Sequence, residues 1–356
     1  MPVPSLVHLV EGLRVSFRLQ ADVIDSIKVA CMANRDVAQY SVIGTSENDR
    51  PIIGVTLGNG PRKVSVIAGC HADEPVGPET IRTLIVSGLR QKDSIADLLS
   101  EYTFVLVPHV NPDGESRNRP WMRDWPDPVA YLRDVVREEP GRDVEFGFPG
   151  LRKENKAVAR FLEKNGPFQL HMSLHGMGFA EGGSLLINRS WSFRSASVRE
   201  GFERACASER LGLHDHNRFG EKGFFYLGPG FSTTPDSDAM RKFFLTRGDQ
   251  TVAAGFRMSS MEYVESLGDD PLCIVTEVPL FTLAAAPSAT PGTPATYLDF
   301  KSLLPDLQKK VARKKSIDDA LARFFVQPVP LRAAMKLQVR TIELGLEAVT
   351  AATSGD

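Results

Sequence analysis

Short apolar, β-branched runs alternate with stretches of helical spacing through the first 283 residues. Runs at 52–57, 64–69, 103–108, 168–175, 184–187 and 273–278 predict strands, and periodic segments at 78–89, 154–164 and 196–211 predict helices. Such alternation implies an α/β fold: a mostly parallel, twisted mixed sheet with helices on both faces, whose ligands bind where strands end. The Ala/Pro/Ser/Thr-rich stretch AAAPSATPGTPA marks a linker at 284–296. Beyond it the pattern is helical only, at 299–314 and 332–348, with Ser316 and Asp319 spaced as a capping box. The expected organisation is a catalytic domain at 1–283, the linker, and a helical extension at 297–356.

Composition narrows the partners. The chain has 356 residues, 42% of them hydrophobic and 24% charged, which is ample material for a core. Lys+Arg number 42 and Asp+Glu 44, a formal charge of -2, so nothing draws the whole chain to nucleic acid or an anionic membrane. Four cysteines without a C-x-x-C pair make neither a disulfide framework nor a thiolate zinc site. With no secretory signature at the N-terminus and no long apolar span, the expectation is a cytoplasmic protein acting on a peptide or small amide.

The chemistry gathers at strand ends. VSVIAGC runs into CHADEPVGPET, so His71 and Glu74 stand three residues apart in a turn after a buried strand and can converge on one divalent ion. FQLHMSLHGMG places His175 at a second strand end, as a third ligand that leaves a fourth position open. VPHVNPDG ends a further strand in what reads as a tight turn, followed by Arg117, Arg119 and Arg123. Glu277 lies inside the apolar strand CIVTEVPLF, where a carboxylate is costly unless it is paired or faces a polar cleft. His171, four before His175, reads as a core residue or an outer partner of the site. His214 and His216 read as a surface-loop pair, with contact to substrate the second reading, and Cys70 as a small core residue.

Taken in order, H-x-x-E after a strand, N-P-D-G with following arginines, a strand ending S-L-H-G and a late T-E strand resemble the zinc carboxypeptidase (carboxypeptidase A-like) family. The likeness runs from about Ser41 to Phe281. It implies one Zn²⁺ held by His71, Glu74 and His175, with Glu277 as general base and acid. It also implies an arginine that polarises the scissile carbonyl. Arg119, which fits shorter members, is preferred over Arg123, which follows Trp121 much as the family's arginine follows a tryptophan, and Arg117 stands as a substrate contact.

The departures bear on substrate. Where members that cleave C-terminal residues carry an Asn-Arg pair that grips the terminal carboxylate, this chain has Glu145 and Phe146. Neither binds an anion, so the resemblance leaves a pocket expected to prefer a neutral or cationic group, received by Glu145. The family's mobile tyrosine is missing from DQTVAAGFRMSS, leaving Tyr263 and Tyr226 as candidates. The leading expectation is a zinc-dependent hydrolase of a peptide-like amide bond. The alternatives are an N-acyl amino acid deacylase of the aspartoacylase and desuccinylase type, and a non-catalytic binding protein that keeps the fold.

Overall fold

Apolar residues on both faces of the central strands are what a sheet covered on both sides requires, and the computed structural model, which describes residues 4–284 and 290–354, has that arrangement. The strands are β1 (Ala38–Thr45), β2 (Pro51–Leu57), β3 (Arg62–Ala68), β4 (Tyr102–Val107), β5 (Leu170–Ala180) and β6 (Gly182–Ile187). They continue with β7 (Gly212–Leu213), β8 (Tyr226–Gly228), β9 (Phe231–Thr233), β10 (Leu272–Thr282) and β11 (Gln327–Pro328). The sheet order is β1-β2-β4-β3-β5-β10-β6-β9-β8, with β11 on β10 and β7 on β6. Its middle, β4-β3-β5-β10, is parallel, while β1 and β2 form an antiparallel hairpin at one edge. The α/β class and mixed sheet expected from the pattern are therefore what the chain adopts.

Alternate residues of β3 face opposite layers. Val64, Val66 and Ala68 join a core with the helices Val76–Arg90 and Leu331–Ser354, whereas Ile67 joins a second core with the helix Lys153–Asn165. Part of the expected linker, 285–289, lies outside the described residues, and the helix Ala295–Ala312 begins inside its expected range. The last helix lies on the central strands themselves. Its buried Gln338 accepts from Thr80 Oγ1 at 2.8 Å and donates to the His175 carbonyl at 3.1 Å and to Thr276 Oγ1 at 3.3 Å. No helix among the described residues is long and apolar enough to cross a membrane.

The turn after β3 is set by Gly69, whose φ of +75° favours glycine and whose Cβ position would lie 2.4 Å from His109 Nδ1. His109 is buried, and its Nδ1 accepts the Asn111 N–H at 3.1 Å, so that nitrogen has no room for a proton. Burial, against the pull of Glu115, pushes this imidazole down to about 4. An unfolded histidine titrates near 6.5, so the unfolded chain takes up the proton first, and stability falls as pH drops from about 6.5 toward 4. Relative to His109→Gln, the wild type should lose roughly 2–3 kcal/mol across that window, measured by denaturant unfolding at stepped pH. A constant difference between the two proteins would refute this.

Candidate metal centre and active-site cavity

His71 stands just beyond the Gly69 turn, and Glu74 just before the helix Val76–Arg90 begins. His175 lies on β5, in register with Glu277 of the adjacent parallel β10. The nearest ligand atoms of His71, Glu74 and His175 all lie within 4.8 Å of one another. His71 Nδ1 is 2.9 Å from Glu74 Oε1, His175 Nδ1 is 2.9 Å from Glu74 Oε2, and the two Nδ1 atoms are 3.0 Å apart.

Each imidazole is held from behind. His71 Nε2 meets Asp143 Oδ2 at 2.9 Å, and His175 Nε2 meets Glu145 Oε2 at 2.9 Å. A carboxylate on one ring nitrogen fixes the tautomer and directs the other nitrogen's lone pair at a metal. Glu145 is itself fixed: Oε1 accepts from Ser260 N at 2.9 Å and Ser260 Oγ at 2.6 Å, and Oε2 also accepts from Ser173 Oγ at 3.1 Å. Burial alone would raise its pKa, but the His175 and Ser260 hydrogen bonds win and lower it to about 2. The carboxylate expected to receive a cationic substrate group is thus saturated by protein partners. A second cluster, Cys70, Glu145 and His175, shares these atoms, but burial pushes the Cys70 thiol far above its usual range, so it offers no thiolate.

The donor set suits zinc. Two imidazole nitrogens and a carboxylate match its preference, and three protein ligands leave a position for substrate. Around the histidines stand the carboxylates of Asp73, Glu74, Asp143, Glu145 and Glu277 with the Arg137 guanidinium, an excess of negative charge that a divalent cation would offset. Burial would lower both imidazoles, yet the carboxylates hold both above the usual histidine range, His71 at about 10. Asp143→Ala and Glu145→Ala should each weaken zinc binding by about 10–100-fold in competition with a chelating dye. Unchanged affinity in both variants would mean that these carboxylates do not orient the ligands.

Glu277 is half-buried and lines the same cavity, of about 770 Å³. Removal from water, with the charge of Glu74 adding, pushes its carboxyl up to about 7. Arg137 reaches the centre from the segment after the helix Pro128–Asp134: Nη1 donates to Glu74 Oε1 at 2.9 Å and Nη2 lies 2.8 Å from His71 Nδ1.

The three expected arginines are elsewhere. N-P-D-G opens the helix Pro112–Arg123, with the Asn111 side chain accepting the Gly114 N–H at 3.0 Å. Arg117, Arg119 and Arg123 are exposed on that helix and none lines the cavity. The helix contributes indirectly. Asn118 Oδ1 accepts the Val136 N–H at 2.9 Å and its Nδ2 donates to the Val136 carbonyl at 2.8 Å, which fixes the residue before Arg137. Arg117 pairs with Glu138, the residue that follows Arg137, at 2.8 Å.

Tyr263 is packed in the second core, its hydroxyl on the Ala159 carbonyl at 3.3 Å, and Tyr226 donates to Asp215 at 2.7 Å. Neither lines the cavity, whereas Tyr131, Tyr297 and Phe146 do. His171 is buried between Ser65 and Ser260, behind Glu145, and Cys70 is a core residue. His214 and His216, read as a surface-loop pair, line the cavity.

Comparison with known proteins bears on the fold and on the segment that holds the candidate ligands. Residues 25–191 match the family model for zinc carboxypeptidases, a span that takes in His71, Glu74 and His175 and ends before Glu277. Carboxypeptidase D of Rattus norvegicus is 24% identical over 176 residues, 47% of this chain and 12% of that protein. The chain therefore spans about an eighth of the curated relative it matches. Among solved structures, thrombin activatable fibrinolysis inhibitor superposes with a TM-score of 0.54 at 14% identity, covering 99% of this chain and 80% of that one. Carboxypeptidase A from Helicoverpa armigera superposes with a TM-score of 0.52 at 12% identity, covering 96% and 76%. At these identities the structural likeness speaks to fold, and the matched segment, somewhat under half of the chain, is similar to zinc carboxypeptidases over the stretch that carries the three candidate ligands.

Proposed function

We propose that the chain is a zinc-dependent hydrolase of a peptide-like amide bond. The observation that carries this reading is the convergence of His71 Nδ1, His175 Nδ1 and the Glu74 carboxylate, each imidazole backed by a carboxylate, beside Glu277 in one cavity. Bound there by His71, Glu74 and His175, zinc would supply Lewis-acid polarisation and lower the pKa of water to roughly 7.

This chain's residues do the remainder. Glu277, with a carboxyl near neutrality and no ion-pair partner among the described residues, accepts a proton from the attacking water and returns it to the departing amine. Arg137 donates to the carbonyl oxygen as negative charge develops on it. Asp143 and Glu145 hold the two imidazoles in one tautomer throughout. A cavity of about 770 Å³ extends well beyond these groups and supports a substrate larger than a single acyl amino acid. The test is metal analysis of the purified protein with turnover of a dipeptide panel set beside N-acyl amino acids. The expected result is about one zinc per chain and dipeptide cleavage. A zinc-free protein inactive with added zinc would sink the proposal, and turnover of N-acyl amino acids alone would replace it with the deacylase reading.

A further inference from the structure

Part of the cavity wall has chemistry opposite to that of the acidic centre. His214, His216, Arg218 and Lys222, from the segment between β7 and β8, and Lys301, from the helix Ala295–Ala312, line the same cavity as Glu74 and Glu277. His214 is only 5% exposed, yet neither of its ring nitrogens has a hydrogen-bond partner. A buried polar group left unpaired is costly, and one that faces a cavity is explained by a ligand. Its ring packs edge-on to Tyr297 with centroids 4.7 Å apart, which fixes the direction of its nitrogens.

The three cations lack acidic partners. Arg218 lies over the Phe224 ring at 4.0 Å, Lys222 over Phe243 at 4.3 Å and Lys301 over Tyr297 at 5.4 Å, and none pairs with a carboxylate among the described residues. The nearby acids are spoken for or turned to solvent. Asp215 accepts from the Tyr226 hydroxyl and the Gly292 N–H, Glu181 accepts from Tyr297 N, and Glu221 is exposed. Burial first, with Arg218 and Lys301 adding, pushes His214 down to about 3 and His216 to about 4, so both imidazoles are neutral and each offers one N–H donor.

We infer that this part of the cavity wall is a carboxylate-binding subsite, formed by Arg218, Lys222 and Lys301 with a donor from His214, which anchors an acidic group of the substrate while the amide lies against Glu277 and Arg137. The inference rests on the hydrolase reading for the position of the amide. It reverses the expectation drawn from Glu145 and Phe146: an anion is gripped, but by residues from a different part of the chain. Two sources supply a carboxylate, a free chain terminus and an acidic side chain.

Calorimetric titration separates them, in the Glu277→Gln background so that nothing is turned over. The probes are acetyl-Ala-Gln with a free terminus, acetyl-Ala-Glu amide with only a side-chain acid, and neutral acetyl-Ala-Gln amide. At least one acidic probe should bind about tenfold or more tighter than the neutral one, and the better acid identifies the source. Arg218→Gln with Lys301→Gln should abolish that advantage while leaving zinc content unchanged. Lys301 is exposed, so Lys301→Gln alone, which keeps the fold, should already narrow it. Equal binding of all three probes, or an advantage that survives both substitutions, overturns the subsite. If acid-selective binding persists in a protein that cleaves no amide, the hydrolase reading fails and the subsite stands; efficient cleavage with no preference for acids is the converse.

Discussion

Replacing Glu277 by glutamine should lower kcat by about 10²–10⁴-fold, the range expected when a positioned general base is removed, with zinc content unchanged. Glutamine keeps the shape and polarity of the side chain and removes only its capacity to carry a proton. Glu277 is not one of the three converging ligands, so metal analysis and catalysis should part company in this variant, whereas they fall together in a ligand variant. The prediction is specific to position as well. Glu277 sits beside His175 across the β5-β10 register, where the β10 backbone is bonded on both sides, to β5 and β6, and cannot shift to let another acid substitute. Near-normal kcat in Glu277→Gln, with a peptide substrate and full zinc occupancy, would show that the proton passes elsewhere.

The second large effect distinguishes arginines. Arg137→Ala should cost about 10²–10³ in kcat, as expected for a donor to the developing oxyanion, while Arg119→Ala and Arg123→Ala should change kcat by less than about twofold. Arg137 contacts Glu74 and His71 directly, and the other two point into solvent from the helix Pro112–Arg123. Because Arg137 also touches two candidate ligands, its variant needs a zinc titration beside the kinetics. A large loss in Arg119→Ala with Arg137→Ala unaffected would reverse the assignment.

Why the candidate ligands and Glu277 were legible and Arg137 was not is a matter of local pattern. His71, Glu74, His175 and Glu277 each follow or interrupt an apolar run, so the strand that places them also announces them. Arg137 lies in an irregular stretch whose position comes from Asn118, 18 residues before Val136, and no periodicity marks it. A signal for excluding Arg119 and Arg123 does exist. Asn111 before Pro112 is a helix start, and the buried Gly114, Asn118, Trp121 and Met122 then lie on one face, leaving the arginines outside. Reading N-P-D-G as a turn alone hid this. Glu145 shows the other limit. It was legible as a departure from the family, but its hydrogen bonds come from Ser260, 115 residues later, and the place of a substrate-gripping pair has become a support for His175. Likewise His214 and His216 read as a loop pair, since only the fold brings them to the wall of the same cavity as Glu277.

The bond from Gln338 to the His175 carbonyl joins residues 163 positions apart. During synthesis all three candidate ligands and Glu277 leave the ribosome well before the helix that pins the second metal strand to its neighbour, and until then Thr80, Thr276 and the His175 carbonyl lack that shared partner. A nascent or truncated chain ending near residue 284 would carry the three candidate ligands, Arg137 and Glu277 with part of its central sheet uncovered. The support that Gln338 gives the β5-β10 pair is then among the last features the polypeptide acquires.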